Sequence, residues 1–187
     1  VYDRWFMESD LHKDGEVAEV IRLLTEKGWT YEKDGALWYK NAQVQRERLI
    51  REGKTDVQID KLELKDDVLV RANGNPTYFA ADIAYHRNKF LRGFTTCIDV
   101  WGADHHGHVA RMKGAMDALG LSGDRLEVVL MQLVRLMKNG ETVRMSKRTG
   151  KAIQLSDLLD EVPADAARFF FNLREANTQM DFDLGLA

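Results

Sequence analysis

The chain has 187 residues, is 44% hydrophobic and 30% charged, and carries a net charge of −3. That length can bury one sizeable core or two small ones, and the slight acidity excludes a surface coated by nucleic acid, so any such contact must be a local patch. The single cysteine, Cys97, excludes an intramolecular disulfide framework and fits a reducing compartment, and no apolar run approaches the ~20 residues that a membrane span needs.

Val17, Val20, Ile21 and Leu24 follow Asp14-Gly15 at helical spacing and predict a helix ended by Gly28. Trp29 to Lys40 reads as a hairpin, with Asp34-Gly35 as its turn and Leu37-Trp38-Tyr39 as the return strand. Gln43 to Glu52 predicts a charged, exposed helix. Val57 to Leu64 alternates apolar and polar residues and predicts a strand. Val68 to Val70 predicts another, closed by Asn73-Gly74-Asn75. A helix is expected from about Phe79 to Leu91, after Pro76. Cys97 to Trp101 predicts a buried strand, in which Cys97 packs. His108 to Leu119 predicts a helix ended by Gly120, and Leu126 to Leu136 a further strand. Leu155 to Val162 and Asp165 to Arg174 predict two helices split by Pro163. Strands alternating with helices from Pro76 onward imply a parallel α/β half-domain. The part up to about Arg71 is α+β and reads as an inserted module. No internal repeat or low-complexity segment is present.

Two segments carry chemistry. Val143 to Gly150 is a short basic loop. From Lys138 to Lys151 there are five Lys or Arg against one Glu. Ser146, Thr149 and Gly150 let the backbone turn, and such a loop suits the phosphates of a nucleotide. On the loop alone, a solvated turn is the favoured reading. The second segment, Gly102-Ala103-Asp104-His105-His106-Gly107-His108, follows an apolar strand. Strand, glycine turn and helix start form a common ligand site on a parallel sheet. A lone Gly-x-Asp turn also caps many strands. Asp104, His105, His106 and His108 could alternatively ligate a metal, but adjacent ligands are geometrically awkward. The expectation is therefore no metal site.

Arg144-Met145-Ser146-Lys147-Arg148 resembles the Lys-Met-Ser-Lys-Ser signature of class I aminoacyl-tRNA synthetases. Gly102 to Asp104 resembles the ribose-binding turn of the same enzymes. Four ordered blocks narrow the resemblance to bacterial-type arginyl-tRNA synthetases. They are Pro76-Thr77-Tyr78-Phe79 with Asp82 to His86, Gly102 to His108, Ala166 to Phe171, and Met180 to Asp183. The resemblance spans nearly the whole chain and is weakest between Asn41 and Lys65. The fold it implies is α/β: residues 72–187 form the second half of a Rossmann-like nucleotide-binding parallel sheet, and residues 1–71 an α+β insertion module.

By that resemblance, Lys147, Arg144 and Ser146 serve catalysis. Gly102, Asp104, His108, Met137, Met145 and Lys147 would bind ATP, which arrives with Mg2+. Glu8, Tyr78, Asp82 and His105 would bind L-arginine. Read without the family, Asp82 is a surface helix residue, Tyr78 a core aromatic and Met137 a packing residue. Phe169-Phe170-Phe171 reads as core packing of a helix. The resemblance further implies tRNA(Arg) as a partner, a cytoplasmic setting and no membrane contact. It leaves the oligomeric state open. The family's His-x-Gly-His motif is expected in a preceding half of the fold: His105-His106-Gly107-His108 has its spacing but follows the later strand. There is no signal-peptide pattern at the start, and the chain begins at Val1. The expectation is an internal piece of a larger enzyme, starting within the insertion and ending before a helical anticodon-binding domain. A non-catalytic nucleotide-binding module of the same fold and a metal hydrolase built on the histidines are the rival readings.

Overall fold

A computed structural model describes residues 2–143 and 154–187. The chain divides into two compact units, Val1–Asp99 with Gly107–Glu127, and Val100–His106 with Val128–Ala187.

In the first unit, α1 (Glu8–Lys13) has acidic residues in its first turn and basic ones in its last, the arrangement that opposes the helix dipole. Gly15 lies in the left-handed region at φ +76° and starts α2 (Glu16–Glu26), whose Val17, Val20 and Leu24 are buried. Strands β1 (Thr30–Lys33) and β2 (Ala36–Tyr39) pair as an antiparallel hairpin. Asp34 and Gly35, both at positive φ, make its two-residue turn. Next come α3 (Asn41–Arg51), α4 (Asp56–Asp60) and β3 (Asp67–Val70), and β3 pairs antiparallel with β2. Tyr39 is fully buried, its ring 6.0 Å from Phe79.

The strand expected at Val57 to Leu64 is instead the helical turn α4. Gln58 Oε1 accepts the Thr55 backbone N–H at 2.9 Å, the return bond of a capping box, which favours a helix start over extension. Ile59 is buried whereas Val57 is 69% exposed, so the alternation did not mark a sheet face.

Helix α5 (Tyr78–Leu91) packs with α1 and α2. Thr77 caps it: Oγ1 accepts from the Ala80 N–H and donates to the Val68 carbonyl at 2.7 Å, which ties the helix to β3. Strand β4 (Cys97–Gly102) leads into α6 (His106–Leu119) and then β5 (Leu126–Met131), the neighbour of β4 in a two-stranded sheet. Only one face of β4 is covered. Cys97 and Asp99 are buried, whereas Ile98 and Val100 are 63% and 67% exposed, so the expected fully buried strand is half-buried.

In the second unit the strand expected from Leu126 to Leu136 is interrupted. Gln132 donates its N–H to the Ala176 carbonyl at 2.9 Å, and the chain resumes as β6 (Val134–Lys138). Strand β6 lies between β7 (Glu141–Thr142), antiparallel, and β8 (Met180–Asp183), parallel. Pro163 separates α7 (Leu155–Glu161) from α8 (Ala164–Asn172), as its missing N–H dictates. Leu158, Val162, Ala167, Met180 and Phe182 form the core, with Leu136 and Phe170 against it. Rings Phe170 and Phe171 each stand 5.3 Å from Phe182. Phe169, expected in the core, is 63% exposed.

Candidate functional site

Helix α5 places Tyr78 and Asp82 one turn apart, hence on one face. Tyr78 is 69% exposed and so is not the core aromatic that its residue type alone suggested. The Asp82 side chain is partly buried. His108, in the first turns of α6, donates Nε2–H to Asp82 Oδ2 at 3.1 Å. The His108 ring meets Phe79 edge-on at 5.7 Å, and the Arg111 guanidinium lies over the same Phe79 ring at 4.7 Å. Arg111 in turn grips Asp67 of β3 with Nε and a terminal nitrogen. Burial pushes the Asp67 carboxyl up, against the pull of Arg111. Helix α6 is thus pinned on both sides of Phe79, and the pinning fixes His108 against Asp82. Glu8 is exposed at the start of α1, which packs on α5. Phe6, just before it, lies 4.7 Å from the Tyr85 ring of α5.

A second polar cluster lies behind Asp82, and the motifs did not mark it. His86 is 3% exposed. Its Nδ1 faces the Asp82 backbone carbonyl at 2.7 Å, and its Nε2 faces Asp99 Oδ2 at 2.5 Å. Lys89 Nζ reaches Asp99 Oδ1 at 2.5 Å. Both ring nitrogens of His86 therefore face acceptors, which a neutral imidazole with one N–H cannot satisfy. Burial alone would raise the Asp99 carboxyl, but the hydrogen bonds from His86 and Lys89 outweigh it and hold the group below the usual carboxylate range. A sequence signal for this cluster existed: Asp99 is the lone charge in an apolar strand, and His86 is one helical turn from Asp82.

In the second unit, Gly102 ends β4 with ordinary extended φ and ψ. A Cβ there would stand 2.5 Å from Asp104 Oδ1, the end of a side chain that can rotate away. Asp104 and His105 are exposed, and His105 Nε2 lies 3.7 Å from Asp104 Oδ2, a contact that contributes little in water. His105 also meets the Trp101 ring edge-on at 6.4 Å. Met137 is half-buried in β6, and its carbonyl accepts the Leu184 N–H at 2.9 Å. Arg144, Met145, Ser146 and Lys147 lie outside the described residues. Among the described residues, no group of three or more His, Cys, Asp or Glu is placed to hold a metal ion, and no helix is long and apolar enough to cross a membrane.

Each unit thus contributes its own set. The first gathers Tyr78, Asp82 and His108, with Glu8 on the helix that packs against α5. The second gathers Gly102, Asp104 and His105 on one turn, with Met137 in β6. His108, expected with the nucleotide residues, is bonded to the carboxylate expected to face arginine.

No protein-family model matches the chain. Curated relatives do. The chain is 59% identical over 187 residues to an arginine–tRNA ligase of Caldanaerobacter subterraneus subsp. tengcongensis, and 58% identical over 187 residues to that of Ruminiclostridium cellulolyticum. Each alignment takes in 100% of this chain and 30% of the relative, so the chain spans about 30% of the length of the proteins it matches. Among solved structures, a Campylobacter jejuni chain assigned as an arginyl-tRNA synthetase superposes with a TM-score of 0.82 at 35% identity, over 99% of this chain and 36% of that one. The Thermus thermophilus arginyl-tRNA synthetase superposes with a TM-score of 0.70 over 95% of this chain and 37% of that one; at 18% identity it speaks to the fold alone.

Proposed function

From the premise that this chain is homologous along its whole length to bacterial arginine–tRNA ligases, we propose that it is part of such an enzyme. The parent activates L-arginine with ATP to arginyl-adenylate and transfers the arginyl group to tRNA(Arg), in the cytoplasm. The observation that carries the proposal is 59% identity over all 187 residues. On this reading residues 1–71 are the insertion module, and residues 72–187 are the second half of the nucleotide-binding domain.

Asp82 and Glu8 face the arginine guanidinium, a fixed planar cation that carboxylates bind in a fork. Tyr78 and His105 complete the arginine side. Gly102 lets the nucleoside approach the backbone, Asp104 accepts from ribose hydroxyls, and Met137 lies against adenine. As the arginine carboxylate attacks the α-phosphate, negative charge grows on the departing pyrophosphate. Lys147, with Arg144, Ser146 and Met145 of its loop, stabilises that charge. The Mg2+ that ATP carries neutralises phosphate charge and needs no dedicated cage in the protein.

Calorimetric titration tests this. Asp82→Asn and, separately, Glu8→Gln weaken L-arginine binding and leave ATP binding nearly unchanged. Equal weakening of both ligands would make these residues structural and remove the proposal's central support.

A further inference from the structure

Asp82 is the carboxylate proposed to face arginine, and a role for its neighbour His108 depends on that reading. One oxygen of Asp82 is already engaged. Oδ2 accepts from His108 Nε2 at 3.1 Å, which leaves Oδ1 as the second corner of the carboxylate. The pair is partly open, with 18% of the His108 side chain and 27% of the Asp82 side chain exposed. A guanidinium donates in a planar fork to two carboxylate oxygens, so an incoming arginine meets a carboxylate that an imidazole already holds at one corner.

The imidazole acts differently in its two states. Neutral, it is a single N–H donor that orients Asp82 and leaves its charge intact. Protonated, it is a full counter-charge, and one carboxylate cannot neutralise both an imidazolium and a guanidinium. The nearby cations are themselves paired, and Glu8 of α1, the second carboxylate proposed to face the guanidinium, does not relieve the competition at Asp82. Arg111 of α6 is held by Asp67 of β3. On α5, His86 donates to the Asp82 backbone carbonyl and, with Lys89, is held by Asp99 of β4. His108 is the titratable side chain that contacts the Asp82 carboxylate itself.

We infer that His108 is a proton-coupled positioning residue for arginine: neutral, it orients Asp82 for the guanidinium, and protonated, it competes with it. Arginine binding then releases the proton of the imidazolium to solvent, and acid weakens arginine binding. Imidazoles titrate between about pH 5 and 8. An antagonism equal to one pKa unit is about tenfold in affinity.

The test titrates L-arginine, by NMR and calorimetry from pH 5.5 to 8.5 in two buffers of different ionisation enthalpy, into a Caldanaerobacter arginine–tRNA ligase whose matching segment is replaced by this chain. His108→Gln is run beside the wild type, because a glutamine amide keeps an N–H donor without titrating. The expected result is arginine affinity that rises about tenfold with pH, with proton release near the midpoint assigned to the His108 ring, and a flat profile in His108→Gln. Affinity equal at both ends of the range in the wild type overturns the inference and leaves the arginine site standing. The same slope in His108→Gln also overturns it. No arginine binding at any pH overturns the arginine site, and this inference with it. The wild-type proton release does not depend on the variant folding.

Discussion

Asp99 is the residue on which the first unit's polar interior turns. It is 7% exposed and receives His86 and Lys89 at once. Removing its charge leaves buried His86 and half-buried Lys89 without the carboxylate they share. Asp99→Asn is therefore expected to cost about 3 kcal/mol near neutral pH, the low end for a broken buried pair because Lys89 is partly exposed. The pH dependence follows from the sign of the shift. A carboxyl held below its unfolded value contributes stability that is complete above about pH 4 and is lost as pH falls through the folded value. Urea unfolding at pH 7 and at about pH 3 checks both statements, since the gap between wild type and Asp99→Asn should shrink in acid. Equal gaps at the two pH values would mean that Asp99 contributes by packing alone. Cys97, two residues earlier, is buried, and burial pushes its thiol up. It is expected to react with iodoacetamide only as fast as the chain unfolds; rapid alkylation under native conditions would contradict this.

At the scale of elements, the close packing of α3 against the end of α6 gives a sharp test. A Cβ on Gly123 would stand 2.2 Å from the Lys113 carbonyl oxygen, which is backbone. Nearby, Asp117 accepts the Gly123 N–H at 2.6 Å and Arg48 at 2.8 Å. Gly123→Ala should lose about 1–3 kcal/mol in urea unfolding. Gly102→Ala should lose much less, because the Asp104 carboxylate it would meet can rotate away. These elements also mark where sequence was a sufficient guide. Helix α2 was legible from apolar spacing and its glycine stop, α6 from Gly120, α5 from its place after Pro76, and the β1–β2 hairpin from Asp34-Gly35. Helix α4 was not, because Val57 and Ile59 alternate as in a strand while the Thr55–Gln58 cap decides for a helix. Nor was the break before β6, which depends on a bond from Gln132 to Ala176, far away in the chain. The site was partly legible. Asp82 and His108 were each named from motifs, but their contact was not, since it depends on how α6 is pinned by Arg111 and Phe79. His86 and Asp99 belong to no chemical motif, and their pairing is visible only in the packed structure.

For the whole molecule, the proposed function makes the chain one contributor to the site of a longer enzyme. It spans about 30% of the length of its relatives, and its own His105-His106-Gly107-His108 follows β4 rather than an earlier strand. Catalysis by groups that act together is strongly non-additive, so the 187-residue chain by itself is expected not to aminoacylate tRNA. Incubation with ATP, radiolabelled arginine and tRNA checks this, with a Lys147→Ala sample to expose contaminating host enzyme. Charging that disappears in the variant would show the chain to be sufficient.

On the proposed function, this chain can do the work of the matching segment in an arginine–tRNA ligase. The direct measurement replaces that segment of the Caldanaerobacter enzyme, 59% identical over 187 residues, with this chain and records tRNA arginylation. The expected result is a folded chimera that charges tRNA, with Lys147→Ala lowering its single-turnover rate by ~100- to 1,000-fold through loss of one charge-stabilising donor. A chimera that melts like the parent enzyme and does not charge tRNA, or one whose rate is indifferent to Lys147, would contradict it.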